Sequence, residues 1–539
     1  MREFDFLRPV VIRAATLVLA ASIVVLFADA QQSAPKGPAY PQEATPNIVV
    51  IMADDLGYGD LSCYGATEIQ TPHIDSLAAS GVRFTSGYCS SSTCTPTRYS
   101  FITGNYAFRT PGTGVAPPNA PAIIQPGSVT IASLLRDAGY QTAVIGKWHL
   151  GLGEKGTGPN WNGALKPGPL EIGFHSCFLL PTTNDRVPQV YVDDHRVANL
   201  DPNDPLWVGD KRPSADHPTG LMNRESLRMN WSHGHDQTIH NGISRIGFYT
   251  GGHDARFRDE DLADKWVERS VQFIETNRDR PFFLFFASHD IHVPRVPHER
   301  FAGKSKLGYR GDCILQLDWC VGEIVATLER LKLRDHTLIV FCSDNGPVMD
   351  DGYQDLALER LGSHRAAGPF RGGKYSVFEG GTRTPFLTSW PGQVEPAVSD
   401  EIVGTIDLAH SFAALAGQTL PAGACGDSFN VLDALLNKSG AKGRDHVLQQ
   451  NNNGNQLGLR VRENGRDWKL ILSPNKQAYN LVVEETLRST AVPEIQLFDL
   501  QADPGERHNL AEQNPEVVKR MRERLAAIKT GEGSRPSAQ

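Results

Sequence analysis

Two groups of acidic and amide side chains in the sequence have the chemistry of a metal site. Asp54-Asp55 directly follows one apolar run, and Asp344-Asn345 directly follows another. Carboxylate and amide oxygens are the donors that hard cations such as Ca²⁺ and Mg²⁺ prefer. A single pair of this kind more often caps a turn at the end of a strand, but two pairs after two strands of one sheet favour a divalent metal ion.

A candidate nucleophile, Cys94, lies in the segment Ser90–Gly104, where Pro96 follows a stretch rich in Ser and Thr. This pattern predicts a loop that turns into a helix near Cys94. The free N–H groups and the dipole of a helix N-terminus favour an anion, and Arg98 adds a positive charge. We therefore expect the thiol to have a low pKa and to be reactive. The alternative is that Cys94 forms a disulfide, for example with Cys89.

Lysine and histidine side chains follow other apolar runs of the sequence in a similar way. Lys147 and His149 come after one run, His289 and His292 come after a second, and Lys374 lies in a glycine-rich turn. A single His is more often a satisfied structural residue, and a single Lys is more often solvated. Their shared position after strands instead predicts a site in which positive side chains and a metal ion surround one anion.

The elements that must position these residues alternate between strand and helix. Strands are predicted at Asn47–Ala53, Thr142–Ile145, Phe282–Ala287, Thr337–Cys342 and Phe386–Ser389. Helices are predicted at Thr71–Ser80, Ser128–Ala138, Leu262–Asn277, Gly311–Lys332 and Ile406–Ala416. This alternation predicts an α/β fold with a doubly wound, mostly parallel sheet. Ligands of such sheets bind beyond the carboxyl ends of the strands.

The chain divides by composition into four parts. Residues 1–30 combine a basic start, a short apolar run and an Ala-x-Ala end, which predicts a secretory signal peptide and an exported protein, periplasmic or secreted. An uncleaved anchor is the alternative. Residues 31–45 are predicted to be a flexible leader, residues 46–425 a catalytic domain, and residues 426–539 a smaller antiparallel α+β subdomain. In that subdomain two apolar runs flank Asn464-Gly465, which predicts a hairpin, and a charged helix closes the chain.

The composition excludes several classes of protein. Of the 539 residues, 40% are hydrophobic and 21% are charged, which excludes a disordered polymer. The formal net charge of −8 gives the chain no overall positive charge with which to bind nucleic acid. The 8 cysteines are scattered and form no CxxC pair, so they do not indicate a zinc or thioredoxin-like site. An anionic ligand must therefore be held by local positive charges.

The motifs together resemble those of the type I sulfatases, the arylsulfatase-like, formylglycine-dependent members of the alkaline-phosphatase-like superfamily. Cys94-Thr95-Pro96-Thr97-Arg98 is similar to the family's Cys-x-Pro-Ser/Thr-Arg motif, and Gly146-Lys147-Trp148-His149 is similar to its second motif. The resemblance runs from Pro46 to Gly392, with a weaker similarity at Leu497–Leu500 and at Asp503-Pro504. Within the family, the chain looks most like a bacterial carbohydrate sulfatase.

The resemblance implies a role for each candidate residue. Cys94 would be oxidised to Cα-formylglycine by a separate maturation enzyme, and the hydrate of that aldehyde would be the nucleophile that hydrolyses a sulfate monoester. Ca²⁺, in preference to Mg²⁺, would be bound by Asp54, Asp55, Asp344, Asn345 and the modified residue 94. The catalytic contacts with the sulfate and the formylglycine would come from Arg98, Lys147, His149, His292 and Lys374, and His289 matches the motif less well.

The substrate predicted from the sequence is a sulfated glycan or a smaller sulfated molecule, with no nucleic acid partner and no stable membrane span. The long irregular insertion Gly153–Gly252 carries polar and aromatic side chains suited to a sugar. They are Asp185, Arg186, Trp231, His233, His235, His240 and Arg245. Of these, His235 and His240 are expected to bind substrate. A hydrated loop without substrate contacts is the alternative.

Two other functions remain open at this point. A phosphodiesterase or phosphonate monoester hydrolase of the same superfamily would share the formylglycine motif. A protein that binds sulfated polysaccharide but is never matured would keep the pocket and lack the nucleophile. Turnover of aryl sulfates against phosphodiesters, together with the mass of the peptide that contains Cys94, distinguishes the three.

Overall fold

The computed structural model describes residues 45–209, 211, 218–472, 493–531 and 533–535. All of them fall within the compact unit Ala39–Gln539. The predicted signal peptide and all of the predicted leader except Thr45 lie outside the described residues, so export stays a prediction. Within the described ranges, no helix is both long and apolar enough to cross a membrane.

The helices and strands of the described residues alternate along much of the chain. The strands are β1 (Asn47–Ala53), β2 (Gly81–Tyr88), β3 (Gln141–Lys147), β4 (Ser176–Leu180), β5 (Val192–Asp193), β6 (Arg196–Val197), β7 (Trp207–Gly209), β8 (Ile239–His240), β9 (Ile243–Ser244), β10 (Phe248–Thr250), β11 (Phe282–Ala287), β12 (Thr337–Ser343), β13 (Phe386–Ser389), β14 (Ala397–Gly404), β15 (His446–Gln450), β16 (Leu457–Glu463), β17 (Arg466–Leu472) and β18 (Ile495–Asp499). The α-helices are α1 (Pro72–Ala79), α2 (Cys94–Thr103), α3 (Ile131–Asp137), α4 (Leu262–Thr276), α5 (Gly308–Arg330), α6 (Glu379–Thr382), α7 (Leu408–Leu415), α8 (Leu432–Leu435) and α9 (Pro515–Thr530).

The main sheet of the described residues has ten strands in the order β14-β2-β13-β12-β1-β11-β3-β4-β5-β6. The central strands β12, β1, β11, β3 and β4 run parallel to their neighbours in that series. β14 is also parallel to β2, whereas β5 and β6 extend the far edge antiparallel. The predicted α/β fold with a mostly parallel sheet is confirmed.

Strand β1 shows why the central strands are continuous apolar runs. All seven of its residues are buried. Ile48, Val50 and Met52 join the core on one face of the sheet, and Val49 and Ile51 join the core on the other. Residues of α2, α3, α7 and α8 pack in the first core, and residues of α1, α4 and α5 pack in the second. A strand that is covered on both faces has to be apolar on both.

The structure differs from the prediction at the edges of this sheet. β13 lies where it is predicted but runs antiparallel to both β12 and β2. The sequence patterns do not predict β2 and β14, because polar residues and glycines interrupt their apolar character. Gly81 in β2 has a steric reason, since a Cβ atom there would lie 1.9 Å from the carbonyl oxygen of Thr388. The insertion Gly153–Gly252, predicted to be irregular, supplies β4, β5 and β6.

A second, antiparallel sheet of the described residues has the order β15-β16-β17-β18. β16 and β17 are joined by Asn464-Gly465, as predicted, and both residues have positive φ, as a two-residue hairpin turn requires. Val518, Met521 and Leu525 of α9 pack against this sheet. The predicted antiparallel α+β subdomain is therefore present, while its boundary at residue 426 stays a prediction.

Gly146, at the carboxyl end of β3, should tolerate no larger side chain. Its φ is +110°, and a Cβ atom would lie 1.9 Å from the carbonyl oxygen of Ala287 in β11. Gly139 is a matched control, because its φ is +90° but its Cβ position is open. We expect Gly139→Ala to lower the free energy of unfolding by about 1–2 kcal/mol through backbone strain alone.

We expect Gly146→Ala to cost a further ~1–3 kcal/mol through steric overlap. Chemical denaturation of the two variants and the wild type measures the difference. Equal losses of stability in the two variants would show that β3 and β11 are not packed as closely as described.

Candidate active site

Four neighbouring strands end at one edge of the main sheet, where the predicted polar residues lie. Ala53 of β1 pairs with Ser343 of β12, so Asp54 and Asp344, which come next in the chain, emerge side by side. β11 and β3 end beside them, and Lys147 is the last residue of β3. The predicted meeting of these residues at the carboxyl ends of the strands is what the structure shows.

A compact group of potential metal ligands lies at this edge. One ligand atom from each of Asp54, Asp55, Cys94 and His292 lies within 4.8 Å of the others, and all four residues are buried. Burial raises the pKa of Asp54 well above its ordinary value, and the neighbouring Asp344 carboxylate raises it further. Burial also raises the pKa of Asp55. Buried carboxylates this close to each other call for a cation.

Two buried oxygens in the same place have no hydrogen-bond partner among the described residues. They are Oδ1 of Asp54 and Oδ1 of Asn345. The amide of Asn345 donates from Nδ2 to Oδ1 of Asp55 at 2.7 Å, and its own oxygen is left to bind a metal ion. Buried oxygen acceptors are rarely left unsatisfied. The donor set and the two orphaned oxygens therefore fit a hard divalent cation.

Asp344 is held differently from the other predicted metal ligands. Its Oδ2 atom accepts hydrogen bonds from the guanidinium of Arg98, 2.9 Å from Nε, and its Oδ1 atom accepts from the backbone N–H of Asp55 at 3.3 Å. Arg98 also donates to the carbonyl oxygen of Lys147 at 2.9 Å and lies 3.9 Å from Asp54. Asp344 thus neutralises Arg98 and orients it at the site.

Two buried lysines balance the remaining acids. The ammonium of Lys147 contacts Oδ2 of Asp54. Lys374 donates to Oδ2 of Asp55 at 3.0 Å and to Oδ2 of Asp351 at 2.7 Å. Burial alone would lower the pKa of each lysine, but the adjacent carboxylates raise it, Asp54 for Lys147 and Asp351 for Lys374. Both lysines are therefore positively charged across the neutral pH range.

Cys94 is the first residue of α2, so the prediction that it lies at a helix N-terminus is confirmed. The expectation of a low thiol pKa is wrong, because burial raises the pKa to about 12 in spite of Lys147 and Lys374. All 8 cysteines lie among the described residues and have free thiols, so the alternative of a disulfide with Cys89 is not observed. An unmodified Cys94 would be a poor nucleophile.

The two predicted active-site histidines are buried and neutral. Nδ1 of His292 lies 2.7 Å from the carbonyl oxygen of Val293, and its Nε2 lies 3.9 Å from Oδ2 of Asp55. His149 uses Nε2 toward the carbonyl of Ala116 at 3.1 Å, and its buried Nδ1 has no hydrogen-bond partner in the part of the chain described. Burial and the nearby lysines keep the pKa of both histidines well below the ordinary value.

The candidate sugar-binding residues of the insertion separate into two groups. Asp185 contacts Arg186 at 3.0 Å and Nε2 of His235 at 3.0 Å, and the neighbouring Asn184 donates to the carbonyl oxygen of His292 at 3.4 Å, so this group borders the site. His240 instead has both ring nitrogens occupied, by the hydroxyl of Tyr249 at 2.7 Å and the carbonyl of Phe257 at 2.7 Å. That geometry favours a structural role for His240.

Other candidates predicted from the sequence also have partners of their own. Arg245 is buried and pairs with Asp259 at 2.7 Å. His289 accepts a hydrogen bond at Nδ1 from the indole of Trp266 at 3.1 Å, which supports its lower rank. Trp231 lies under the guanidinium of Arg224, at 4.3 Å from the ring centroid.

Asp351 and Tyr375 belong to the site but are missed by sequence reasoning. The hydroxyl of Tyr375 donates to Oδ1 of Asp351 at 3.0 Å, and Asp351 in turn holds Lys374. The signal that could have found Asp351 is the pair Asp350-Asp351, which repeats the acidic doublet of Asp54-Asp55 a few residues after Asp344. The whole arrangement places three cations and a metal-binding pocket around residue 94, which suits an anionic substrate.

Comparison with known proteins gives one consistent family. The family model described as Sulfatase matches residues 46–418. An N-acetylgalactosamine-6-O-sulfatase of Bacteroides thetaiotaomicron is 49% identical over 485 residues, which cover 90% of this chain and 93% of the relative. Arylsulfatase A of Homo sapiens is 31% identical over 487 residues, covering 89% of this chain and 86% of the relative. A solved structure from work on the metabolism of multiple glycosaminoglycans by Bacteroides thetaiotaomicron is 48% identical, with a TM-score of 0.85, and the match covers 90% of this chain and 99% of that one.

A divalent cation should stabilise this protein through Asp54. Adding Ca²⁺ or Mg²⁺ to metal-free protein should raise its Tm, since an ion that binds only the folded state at about 100 times its Kd contributes about 2.7 kcal/mol. Asp54→Asn should remove most of this rise. Asp407→Asn is the matched control, because Asp407 is a buried carboxylate paired with Arg444 at 2.6 Å in a separate ion pair. The rise should persist in that control, and an undiminished rise in Asp54→Asn would contradict the assignment.

Proposed function

The chain belongs to the sulfatase family and is an enzyme that hydrolyses sulfate esters, and on this premise we propose that its substrate is a carbohydrate with a 6-O-sulfated N-acetylgalactosamine residue. The observation that carries the proposal is the N-acetylgalactosamine-6-O-sulfatase of Bacteroides thetaiotaomicron, whose similarity extends over nearly the whole of both chains. The family match, at residues 46–418, includes the insertion as well as the candidate metal-binding edge of the sheet.

The border of the site supports a sugar as the group that carries the sulfate. Asp185 is buried, and Arg186 keeps its pKa well below the ordinary value against the effect of burial. A carboxylate and a guanidinium side by side can accept from one hydroxyl and donate to another. We assign Asp185 and Arg186 to contacts with the sugar. His235, whose ring nitrogens contact the carbonyl of His233 at 2.8 Å and Asp185 at 3.0 Å, is assigned to hold Asp185, and we assign no sugar contact to His240.

The cations of the site have the geometry to bind the sulfate group. Lys147, Lys374 and Arg98 reach the buried carboxylates beside residue 94 from three elements, so they could neutralise the charge that develops on the sulfate oxygens. Burial opposes the charge of Lys374, but Asp351 and Asp55 raise its pKa, so a positively charged Lys374 would donate a hydrogen bond to the ester oxygen that leaves. The anionic sulfate would also raise the pKa of His292, so that His292 could become protonated and donate a proton to the leaving oxygen.

Residue 94 supplies the nucleophile in this proposal. The thiol of Cys94 is buried and its pKa is about 12, so the unmodified side chain is unsuited to attack. A formylglycine hydrate at this position would supply a hydroxyl nucleophile, and a bound metal ion would lower the pKa of that hydroxyl and stabilise negative charge. His149, whose Nδ1 lacks a hydrogen-bond partner among the described atoms, would orient the residue.

We assign Ca²⁺ to the metal site in preference to Mg²⁺. The ligands proposed are Asp54, Asp55, Asp344, Asn345 and residue 94. Such a set of carboxylates and an amide, part of which is already shared with arginine and lysine, is irregular, and Ca²⁺ tolerates irregular geometry better than Mg²⁺ does. In the thermal experiment described above, Ca²⁺ should therefore raise the Tm more than Mg²⁺ at the same concentration.

Maturation of Cys94 should be required for turnover. Protein produced with a competent formylglycine-generating enzyme should give a peptide at residue 94 that is lighter than its thiol form, since an aldehyde replaces the thiol. Cys94→Ser should lose turnover while keeping its fold, because a serine lacks the second hydroxyl of a hydrate. Cys89→Ser is a control, since Cys89 is a buried thiol outside the ligand group. Full activity in protein whose residue 94 is only a thiol would contradict this role.

The substrate is tested with a panel of sulfated sugars scored for released sulfate. N-acetylgalactosamine 6-O-sulfate should be hydrolysed faster than the 4-O-sulfated isomer and faster than an aryl phosphodiester. Asp185→Asn should reduce turnover of the sugar sulfate more than turnover of a simple aryl sulfate, because the aryl group offers no hydroxyls. Preference for the phosphodiester would favour the phosphodiesterase alternative. Binding of the sugar without any sulfate release by matured protein would favour the non-catalytic alternative.

A further inference from the structure

The motif at Leu497–Leu500 and Asp503-Pro504 has no part in the site described so far. It forms β18 and a tight turn, in which the Asp503 carboxylate accepts from the backbone N–H groups of Arg507 and His508 at 2.7 and 2.8 Å. The turn ends by placing Glu506 at φ +51°, fully buried. An acidic residue held in the left-handed region and removed from solvent is an uncommon arrangement that needs an explanation.

Glu506 contacts both ends of the loop that carries Lys374, residues 371–380, which we call the Lys374 loop. At one end, its carboxylate accepts from the backbone N–H of Glu379 at 2.6 Å. At the other end, its carbonyl oxygen accepts from the guanidinium of Arg371 at 3.0 Å. The two ends are also joined to each other, since the N–H of Gly380 donates to the carbonyl of Arg371 at 2.7 Å.

The base of the Lys374 loop is also embedded in the antiparallel sheet. Phe378 packs with Ile471 of β17, Phe498 of β18 and Leu500 in one buried apolar cluster. Lys469 of β17 donates to the Glu379 carboxylate at 2.8 Å and lies 3.3 Å from Glu506. The loop is therefore fastened by charge and by apolar packing at the side remote from Lys374.

The tip of the Lys374 loop reaches the active site. The N–H of Lys374 donates to the carbonyl of Pro347, just after Asp344-Asn345, and the N–H of Tyr375 donates to the carbonyl of Ser92, just before Cys94. The Lys374 ammonium then meets Asp55 and Asp351. Movement at the base of the loop would thus displace a cation of the site.

We propose that Glu506 is a positioning residue for the sulfatase reaction, which holds the Lys374 loop closed so that Lys374 stands over the reacting sulfate. This inference rests on the proposed contact of Lys374 with substrate. It also gives the C-terminal motif a function, since the motif's turn is what delivers Glu506 to the base of the loop. Small displacements of a positioned charge are costly in catalysis, about 100-fold for a misplacement near 1 Å.

The charge of Glu506 matters less than its hydrogen bonds. Burial and the adjacent Glu379 together raise the pKa of Glu506 to about 8, although Lys469 opposes the rise. Glu379 is the partner that Lys469, Arg383 and Arg460 keep ionised, since they lower its pKa against the effect of burial. A glutamine at position 506 would keep the acceptor for the Glu379 N–H, so it is the conservative replacement.

The test compares Glu506→Ala with Glu506→Gln in matured, full-length enzyme on an aryl sulfate. Alanine should lower kcat/KM about tenfold or more, whereas glutamine should retain it within about threefold. Asp427→Ala is the matched control, since Asp427 is a buried acid that joins Arg109 to the C-terminal part of the chain without touching the Lys374 loop. It should lower the Tm by a similar amount and leave kcat/KM within about threefold of the wild type. Equal loss of kcat/KM in Asp427→Ala and Glu506→Ala would reduce Glu506 to a general structural role.

A double-mutant cycle with Lys374→Ala isolates the proposed coupling. If Glu506 acts through Lys374, adding Glu506→Ala to Lys374→Ala should cause little further loss of kcat/KM. Fully additive losses would overturn the proposal.

Hydrogen exchange of residues 371–381 gives a readout that is independent of activity, and Glu506→Ala should expose this segment while Glu506→Gln should not. If the wild type cleaves no sulfate ester, the proposed function fails, and hydrogen exchange then tests by itself whether Glu506 fastens the loop. Unchanged protection of the loop in Glu506→Ala would refute that role.

Discussion

The constraint on which this structure depends is the burial of three neighbouring carboxylates, Asp54, Asp55 and Asp344, at one edge of the main sheet. Two unit charges 4 Å apart interact by about 4 kcal/mol at an effective dielectric of 20, so such a cluster is unstable without nearby cations. Arg98 and Lys147 supply part of the compensation, and Lys374 supplies more from a separate loop. The oxygen of Asp54 that has no hydrogen-bond partner among the described residues marks the place where a metal ion would complete this compensation. The same side-chain cations, together with the proposed metal ion, would make the pocket attractive to a sulfate group.

The fold satisfies this constraint by bringing distant segments to one place. Parallel strands β1, β12 and β3 deliver two acids and a lysine from sites far apart in the sequence, and α2 presents residue 94 at its N-terminus. The antiparallel sheet takes part as well. Gln450 of β15 exchanges backbone hydrogen bonds with Ser90 and Ser92, just before Cys94, and Glu506 fastens the Lys374 loop. In this view, the C-terminal part of the chain holds two segments of the site in place, the one before residue 94 and the Lys374 loop.

The sequence predicted those features that depend on local pattern. The apolar runs that end in Asp54 and Asp344 predicted both the sheet and the meeting of their acids at its edge, and Pro96 predicted the start of a helix near Cys94. Features that depend on burial or on contacts between distant residues could not be predicted from the sequence. The thiol pKa of Cys94 is high because the helix start is buried, which no spacing reveals. His240 is held by Tyr249 and Phe257, and Asp351 reaches Lys374 across a loop whose path depends on tertiary packing.

The central claim is that a divalent ion lies against residue 94 within this charge-balanced cluster. The most direct measurement is a crystal structure of matured protein with Ca²⁺, with anomalous difference density used to place the ion. The account predicts one peak within about 2.3–2.6 Å of oxygen atoms of Asp54, Asp55 and Asn345, in contact with residue 94. A well-ordered site with no peak there, or with the Lys147 or Lys374 ammonium in the ion's place at saturating Ca²⁺, would contradict it.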